Sequence, residues 1–141
     1  MNVLFDTCVI LDHLMERGGY AEHAEALMEK AAEGDIRGMI TVKELTDIHY
    51  VLKNVFHDEV KVRGILLDLL DILTLSDSMT EDAVNAIFSP VNDYEDALMI
   101  MTAERIRADV IVTRNTRDYR LSSIPVYSPE EFLEHLSFSN A

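Results

Sequence analysis

The sequence predicts an α/β fold: a central, mainly parallel sheet of about four to five strands, with helices between them. Three observations predict it. Short apolar runs recur along the chain, each followed by a longer stretch with helical periodicity. The run Asp109 to Thr113 is apolar almost throughout, as in strands buried on both faces. Acidic residues also stand where apolar runs end or turn: Asp6 after Met1–Phe5, Glu44 after Met39–Thr41, and Asp118 after Val110–Thr113. Asp96 adds a fourth, inside a long apolar helix.

Taken in order, Met1 to Phe5 reads as a buried strand ending at Asp6. Thr7 to Glu16 repeats Val9, Ile10 and Leu14 at helical spacing before Gly18-Gly19 breaks the pattern. Tyr20 to Glu33 is built from strong helix formers, with Gly34 as its C-terminal cap. Ile36 to Ile40 is a second strand, weakened by Gly38. Thr41-Val42-Lys43-Glu44 is a capping-box pattern opening a helix to about Val55. Another helix runs from Asp58 to about Leu70, followed by a short strand, Ile72 to Leu75. Ser78 to Glu81 caps the next helix, which stops before Pro90. The helix from Asn92 through about Arg107 carries apolar residues around almost its whole circumference, which predicts deep burial. Pro125 to Tyr127 is a last strand, and Ser128-Pro129-Glu130-Glu131 opens a final helix ending near Leu136. Residues 1–136 are thus expected to form one domain, and 137–141 a frayed C-terminal tail.

Composition narrows the function. The single cysteine, Cys8, rules out an internal disulfide framework and fits a reducing cytosol, with an inert buried thiol expected among Val9, Ile10 and Leu11. There is no apolar run of membrane-spanning length and no secretory pattern at the N-terminus, so a cytoplasmic protein is expected. A net charge of −14 argues against whole-surface attraction to nucleic acid. The charge is uneven, however: Arg105 to Arg120 holds five arginines against two acids, a local balance of +3. Arg105 and Arg107 read as solvated surface. Arg114, Arg117 and Arg120 flank Asp118 and suggest an electropositive lip.

Each acid has a plain structural explanation. Asp6 starts a loop, Glu44 occupies a capping position, Asp96 lies in the first helical turns, and Asp118 sits in a turn. Gathered at the strand ends of a parallel sheet, where ligands bind, they would form an anionic pocket for a hard divalent cation. Asp93, three residues before Asp96, shares its helix face. Zinc is disfavoured, because the five histidines form no ligand-spaced pair. Nucleotide-binding glycine loops and a nucleophile elbow are absent. A haloacid-dehalogenase-type phosphatase would want a second aspartate where Cys8 stands.

Four segments together resemble PIN-domain ribonucleases: Leu4 to Asp12, Ile40 to Leu45, Asp93 to Leu98 with Thr102-Ala103, and Asp109 to Tyr119. The resemblance spans essentially the whole chain and implies a three-layer α/β/α fold with a metal-dependent ribonuclease site. It implies Asp6, Glu44, Asp96 and Asp118 as catalytic carboxylates. Asp6, Asp96 and Asp118 would hold Mg2+ or Mn2+, with Asp93 as an additional acid. Thr7, Thr113 and Asn115 resemble residues that orient water or a carboxylate, and Arg114 and Arg117 would contact RNA phosphates. Cys8 departs mildly from the usual Asn or Ser. Asp12 is left with a structural or surface role.

The implied function is endonucleolytic hydrolysis of RNA, with single-stranded RNA as the expected substrate. Small members of this kind resemble VapC-type toxins of toxin–antitoxin pairs, which implies a homodimer and an antitoxin partner. The alternative is a catalytically silent PIN-like binding or regulatory module whose acids only cap helices; a metal-dependent phosphatase is a third reading.

Overall fold

The computed structural model describes residues 1–139. Strands β1 (Asn2–Phe5), β2 (Arg37–Thr41), β3 (Thr74–Ser76), β4 (Val110–Val112) and β5 (Val126–Tyr127) form one sheet in the order β3-β2-β1-β4-β5. All four pairings are parallel, as the continuous apolar runs predict. The helices are α1 (Thr7–Leu14), α2 (Ala21–Glu33), α3 (Val42–Phe56), α4 (Glu59–Ile72), α5 (Thr80–Phe88), α6 (Tyr94–Arg105) and α7 (Pro129–Ser139). No helix among the described residues is long and apolar enough to cross a membrane.

Alternation along the strands divides the core between two unequal layers. Val3, Phe5, Ile40, Val110 and Val112 pack with α1, α2, α3, α4 and α7, through side chains such as Ile10, Leu27, Leu52, Val62 and Phe132. Leu4, Met39 and Ile111 pack on the opposite side against Met99, Ile100 and Ala103 of α6, with Tyr119. α5 packs chiefly on α6. The result is three layers, α/β/α, with one thin helical layer. That thin layer lets the first turn of α6 reach the sheet's carboxyl edge while staying near solvent.

Most boundaries agree with the sequence reading, and the differences have physical causes. β3 lies two residues later than expected at its start, because Ile72 remains in α4 and Leu73, buried, caps it through its backbone N–H to Leu69. α6 is buried on one face only: Ala97, Met99, Ile100, Thr102 and Ala103 are covered, whereas Tyr94 and Glu95 are exposed. Arg105, read as solvated surface, instead donates from Nε to both oxygens of Asp82 at 2.9 Å and ties α6 to α5. Asp82 also accepts the backbone N–H of Met79 at 3.0 Å, capping α5 one position later than the Ser78 pattern suggests. Ser137 to Ser139, expected as tail, continue α7; the rest of that tail, 140–141, lies outside the described residues.

Gly38 is where β2 runs closest to its neighbours. A Cβ there would stand 2.6 Å from Leu73 Cδ2 and 2.9 Å from Phe5 Cε2, both on buried side chains. Gly38→Ala is therefore expected to destabilise the protein. Overpacking of about 1–3 kcal/mol outweighs the ~0.4–1 kcal/mol gained by stiffening the unfolded chain. Urea denaturation reads this directly, and an unchanged midpoint would show that Leu73 yields freely.

Candidate active site

Asp6 ends β1 and caps α1. Its Oδ1 accepts the Thr7 N–H at 2.8 Å, and its Oδ2 accepts the Thr113 hydroxyl at 2.7 Å. Thr113 is fully buried at the end of β4, and its oxygen in turn accepts the Asn115 N–H at 3.0 Å. The backbone joins the same edge, since Asp6 N–H donates to Val112 O. Adjacent strands β1 and β4 thus fix one carboxylate by two short bonds. Cys8 Sγ lies 3.6 Å from Asp6 Oδ2, and burial, reinforced by the Asp6 charge, pushes its thiol up to about 11. At neutral pH it stays a thiol, as the inert reading expects.

Glu44 follows β2 and closes the capping box that the sequence indicates. Thr41 Oγ1 accepts Glu44 N–H at 3.1 Å, while Glu44 Oε1 accepts Thr41 N–H at 2.9 Å. The cap leaves Oε2 aimed at α1, where it accepts the Thr7 hydroxyl at 3.3 Å. One helix cap therefore also delivers a carboxyl group to the sheet edge. Burial pushes the Glu44 carboxyl well above its ordinary range, and the nearby Asp6 charge adds to the rise against hydrogen bonds from Thr41 and Thr7.

Asp96 comes from the other layer. Asp93 is the N-cap of α6, with its Oδ1 accepting the Asp96 N–H at 3.0 Å, so Asp93 has a structural task in addition to its charge. Asp96 is pushed up to about 6, first by loss of solvent and then by the charges of Asp93 and Asp6, with Asp118 contributing. Asp118 sits in the short 3-10 helix Thr116–Tyr119 and is exposed.

The acids border two adjoining clefts. Asp6, Thr7, Glu44 and Asp96 line one of about 230 Å³, with Lys43 at its rim and Tyr119 in its wall. Asp93, Asp96 and Asp118 line the second, of about 300 Å³, together with Arg120. Asp96 belongs to both. Among the described residues no three acidic, histidine or cysteine side chains already stand together closely enough to hold a bare ion. A small hydrated cation, held by one or two carboxylates and keeping several waters, makes no such demand. The donor set is all hard oxygen, with two carboxyl groups raised by burial and then by neighbouring charge, and it suits a hard divalent cation.

Three of the residues read from the sequence stand apart from the acids' clefts. Arg114 is turned towards Asp12: its Nε and Nη2 grip that carboxylate at 2.6 and 3.2 Å, and its guanidinium stacks 4.1 Å over Tyr20. Asp12 is fully buried, which makes it structural and removes the surface option. The Asn115 side chain lies along a different groove, beside Tyr20 and Arg114; its link to the acids runs through its backbone N–H. Arg117 is exposed. Sequence reading missed two residues. Lys43, within hydrogen-bond reach of Asp47 and 3.3 Å from Glu95, brings a cation to the rim. Tyr119 brings a phenol to the wall. Lys43 follows from its place inside the Thr41–Glu44 box; Tyr119 carried only the signal of standing next to Asp118.

A family model described as PIN domain matches residues 2–117. No curated protein matches the chain. Among solved structures it is similar to VapBC2 from Rickettsia felis bound to a DNA fragment from their promoter, with a TM-score of 0.69 and 14% identity over 91% of this chain and 98% of that one. It is similar to DNA-bound VapBC from Salmonella typhimurium, with a TM-score of 0.69 and 18% identity over 92% and 98% of the two chains. A toxin-antitoxin complex from Klebsiella pneumoniae gives a TM-score of 0.65 and 22% identity over 90% and 97%. At these identities the likeness is one of fold.

Proposed function

The chain belongs to the PIN-domain family, and we propose that it is a metal-dependent endoribonuclease that hydrolyses RNA phosphodiester bonds. One observation carries the reading: Asp6, Glu44 and Asp96 arrive from three separate elements at one cleft on the sheet's carboxyl edge. Helix capping accounts for Asp6 and Glu44, but the Asp96 side chain caps nothing, and burial, followed by the charges of Asp93 and Asp6, raises its pKa. A fold gains no stability from that arrangement.

In this reading Asp6 and Asp96 hold the cation, with Asp118 and Asp93 on the adjoining side. Mg2+ or Mn2+ bound there supplies a Lewis acid for the phosphoryl oxygens and a water acidified for attack. Thr113 and Thr7 keep Asp6 in one orientation through its two oxygens. Burial and the Asp6 charge disfavour the ionised form of Glu44, and a bound cation would favour it. Lys43 and the exposed Arg117 and Arg120 offer positive charge to flanking phosphates of a single-stranded substrate. Arg114 has no such part, since Asp12 occupies its fork.

The fold shared with toxin–antitoxin complexes supports a further step: action in the cytoplasm as the toxin of such a pair, as a homodimer held in check by an antitoxin. Its net charge of −14 would suit a basic partner segment. The second reading, a silent PIN-like module, has its own support in the capping bonds of Asp6, Glu44 and Asp93. Single-stranded RNA incubated with the protein separates the two. Cleavage with Mn2+ or Mg2+ that stops in EDTA is the expected result; intact RNA with either metal sinks the nuclease reading, and cleavage that survives EDTA sinks its metal dependence.

A further inference from the structure

Tyr119 carries a hydroxyl that packing does not explain. Its ring belongs to the core layer of Leu4, Ile100 and Ile111, and the residue is 1% exposed. Its oxygen has no hydrogen-bond partner among the described residues. Buried polar atoms are nearly always paired, and phenylalanine would fill the same space without leaving an orphan. The residue also lines the cleft of Asp6, Glu44 and Asp96.

The surroundings say what this oxygen is suited to meet. It borders the cleft that Asp6, Glu44 and Asp96 line, yet closes no hydrogen bond with any of them. Three acids share the cleft, and among the described residues none pairs with the phenolic oxygen. A water molecule fits both of its needs, offering a proton to the phenolic oxygen and accepting one from the hydroxyl.

We propose that Tyr119 is a positioning residue whose hydroxyl pairs with the water shell of a divalent cation held by Asp6 and Asp96. The inference rests on the metal-dependent reading above. Tyr119 acts through water: its oxygen accepts from one water of the shell, its O–H donates to Asp96 or to a second water, and the shell is thereby oriented against the cleft wall. Partners of this outer kind shift metal affinity while touching neither the ion nor the substrate.

Tyr119→Phe removes that one atom and keeps the ring. By isothermal titration calorimetry, Mn2+ affinity is expected to fall by about tenfold or more, while the Tm of the metal-free variant stays level or rises. A purely structural hydroxyl would give the reverse, a lower metal-free Tm with unchanged affinity, and that result overturns the inference. Wild-type protein that binds Mn2+ alongside an equally tight Tyr119→Phe also overturns it and leaves the metal site standing. Wild-type protein that binds no Mn2+ overturns both.

Discussion

Asp96→Asn is expected to lower metal-dependent RNA cleavage by on the order of 10²–10³ while making the metal-free protein slightly more stable. The two effects have one cause. Asp96 is placed where its charge is unfavourable in the empty cleft and useful once a cation arrives. Its carboxyl is raised from 3.8 to about 6 by loss of solvent and by Asp93 and Asp6. The sign follows from linkage. A carboxyl whose folded pKa is raised keeps its proton longer in the fold than in the unfolded chain, so stability declines as pH climbs from about 4 through about 6. Asparagine has no such decline. The Tm difference should therefore be absent below pH 4 and open towards pH 7, remaining small because solvent screens a partly exposed group. Saturating Mn2+ should reverse it, raising the Tm of the wild type alone. Asp96→Asn that cleaves RNA at the wild-type rate, or that is less stable than wild type at pH 7, would return Asp96 to an ordinary role at a helix start. Asp6→Asn is the less clean comparison, since Asp6 also caps α1 and receives Thr113.

Arg114→Ala is expected to destabilise the fold by about 3–5 kcal/mol, or roughly 10 °C in Tm. It strands Asp12, whose side chain is 1% exposed, without its counter-charge. The bidentate grip and the stacking on Tyr20 vanish together. The pair fastens α1 to the segment after β4, and the same two elements hold Asp6 and Thr113. A misplaced Asp6 would then cost activity as well, without Arg114 touching RNA. Replacing both partners by apolar residues of similar size, Asp12→Leu with Arg114→Met, is expected to recover most of the stability, because an absent charge needs no partner. If Arg114→Ala melts within 2 °C or so of the wild type, water reaches Asp12 and the pair is a surface one. Arg117 and Arg120, both exposed, should show no comparable stability loss on substitution.

Much of the candidate site is legible in the sequence because it is local. The Thr41–Glu44 box is a three-residue relation that the backbone of any helix start reproduces, and it appears as read, down to both reciprocal bonds. Asp6 and Thr113 stand at strand ends that apolar runs mark unaided. Asp93 was read only as an extra acid, yet it is also a cap, since an aspartate three residues before Asp96 satisfies its free N–H. By contrast, Arg114 and Asp12 lie 102 positions apart, and Arg105 and Asp82 lie 23 apart. Nothing in either neighbourhood distinguishes these arginines from solvated ones. Tyr119 hid for a related reason: an aromatic beside a turn reads as core, and core it is, except for one atom.

By itself, then, the chain determines an α/β order of elements, parallel strands and acids at their carboxyl ends, because periodicity, caps and turns are interactions of near neighbours. Tertiary structure decides which charges meet. It sends Arg114 inward to Asp12 instead of outward to a phosphate, splits the acids between two clefts that share Asp96, and sets the Tyr119 hydroxyl among them. Those choices depend on distances and desolvation between residues far apart in the chain, and they become fixed only when the layers close.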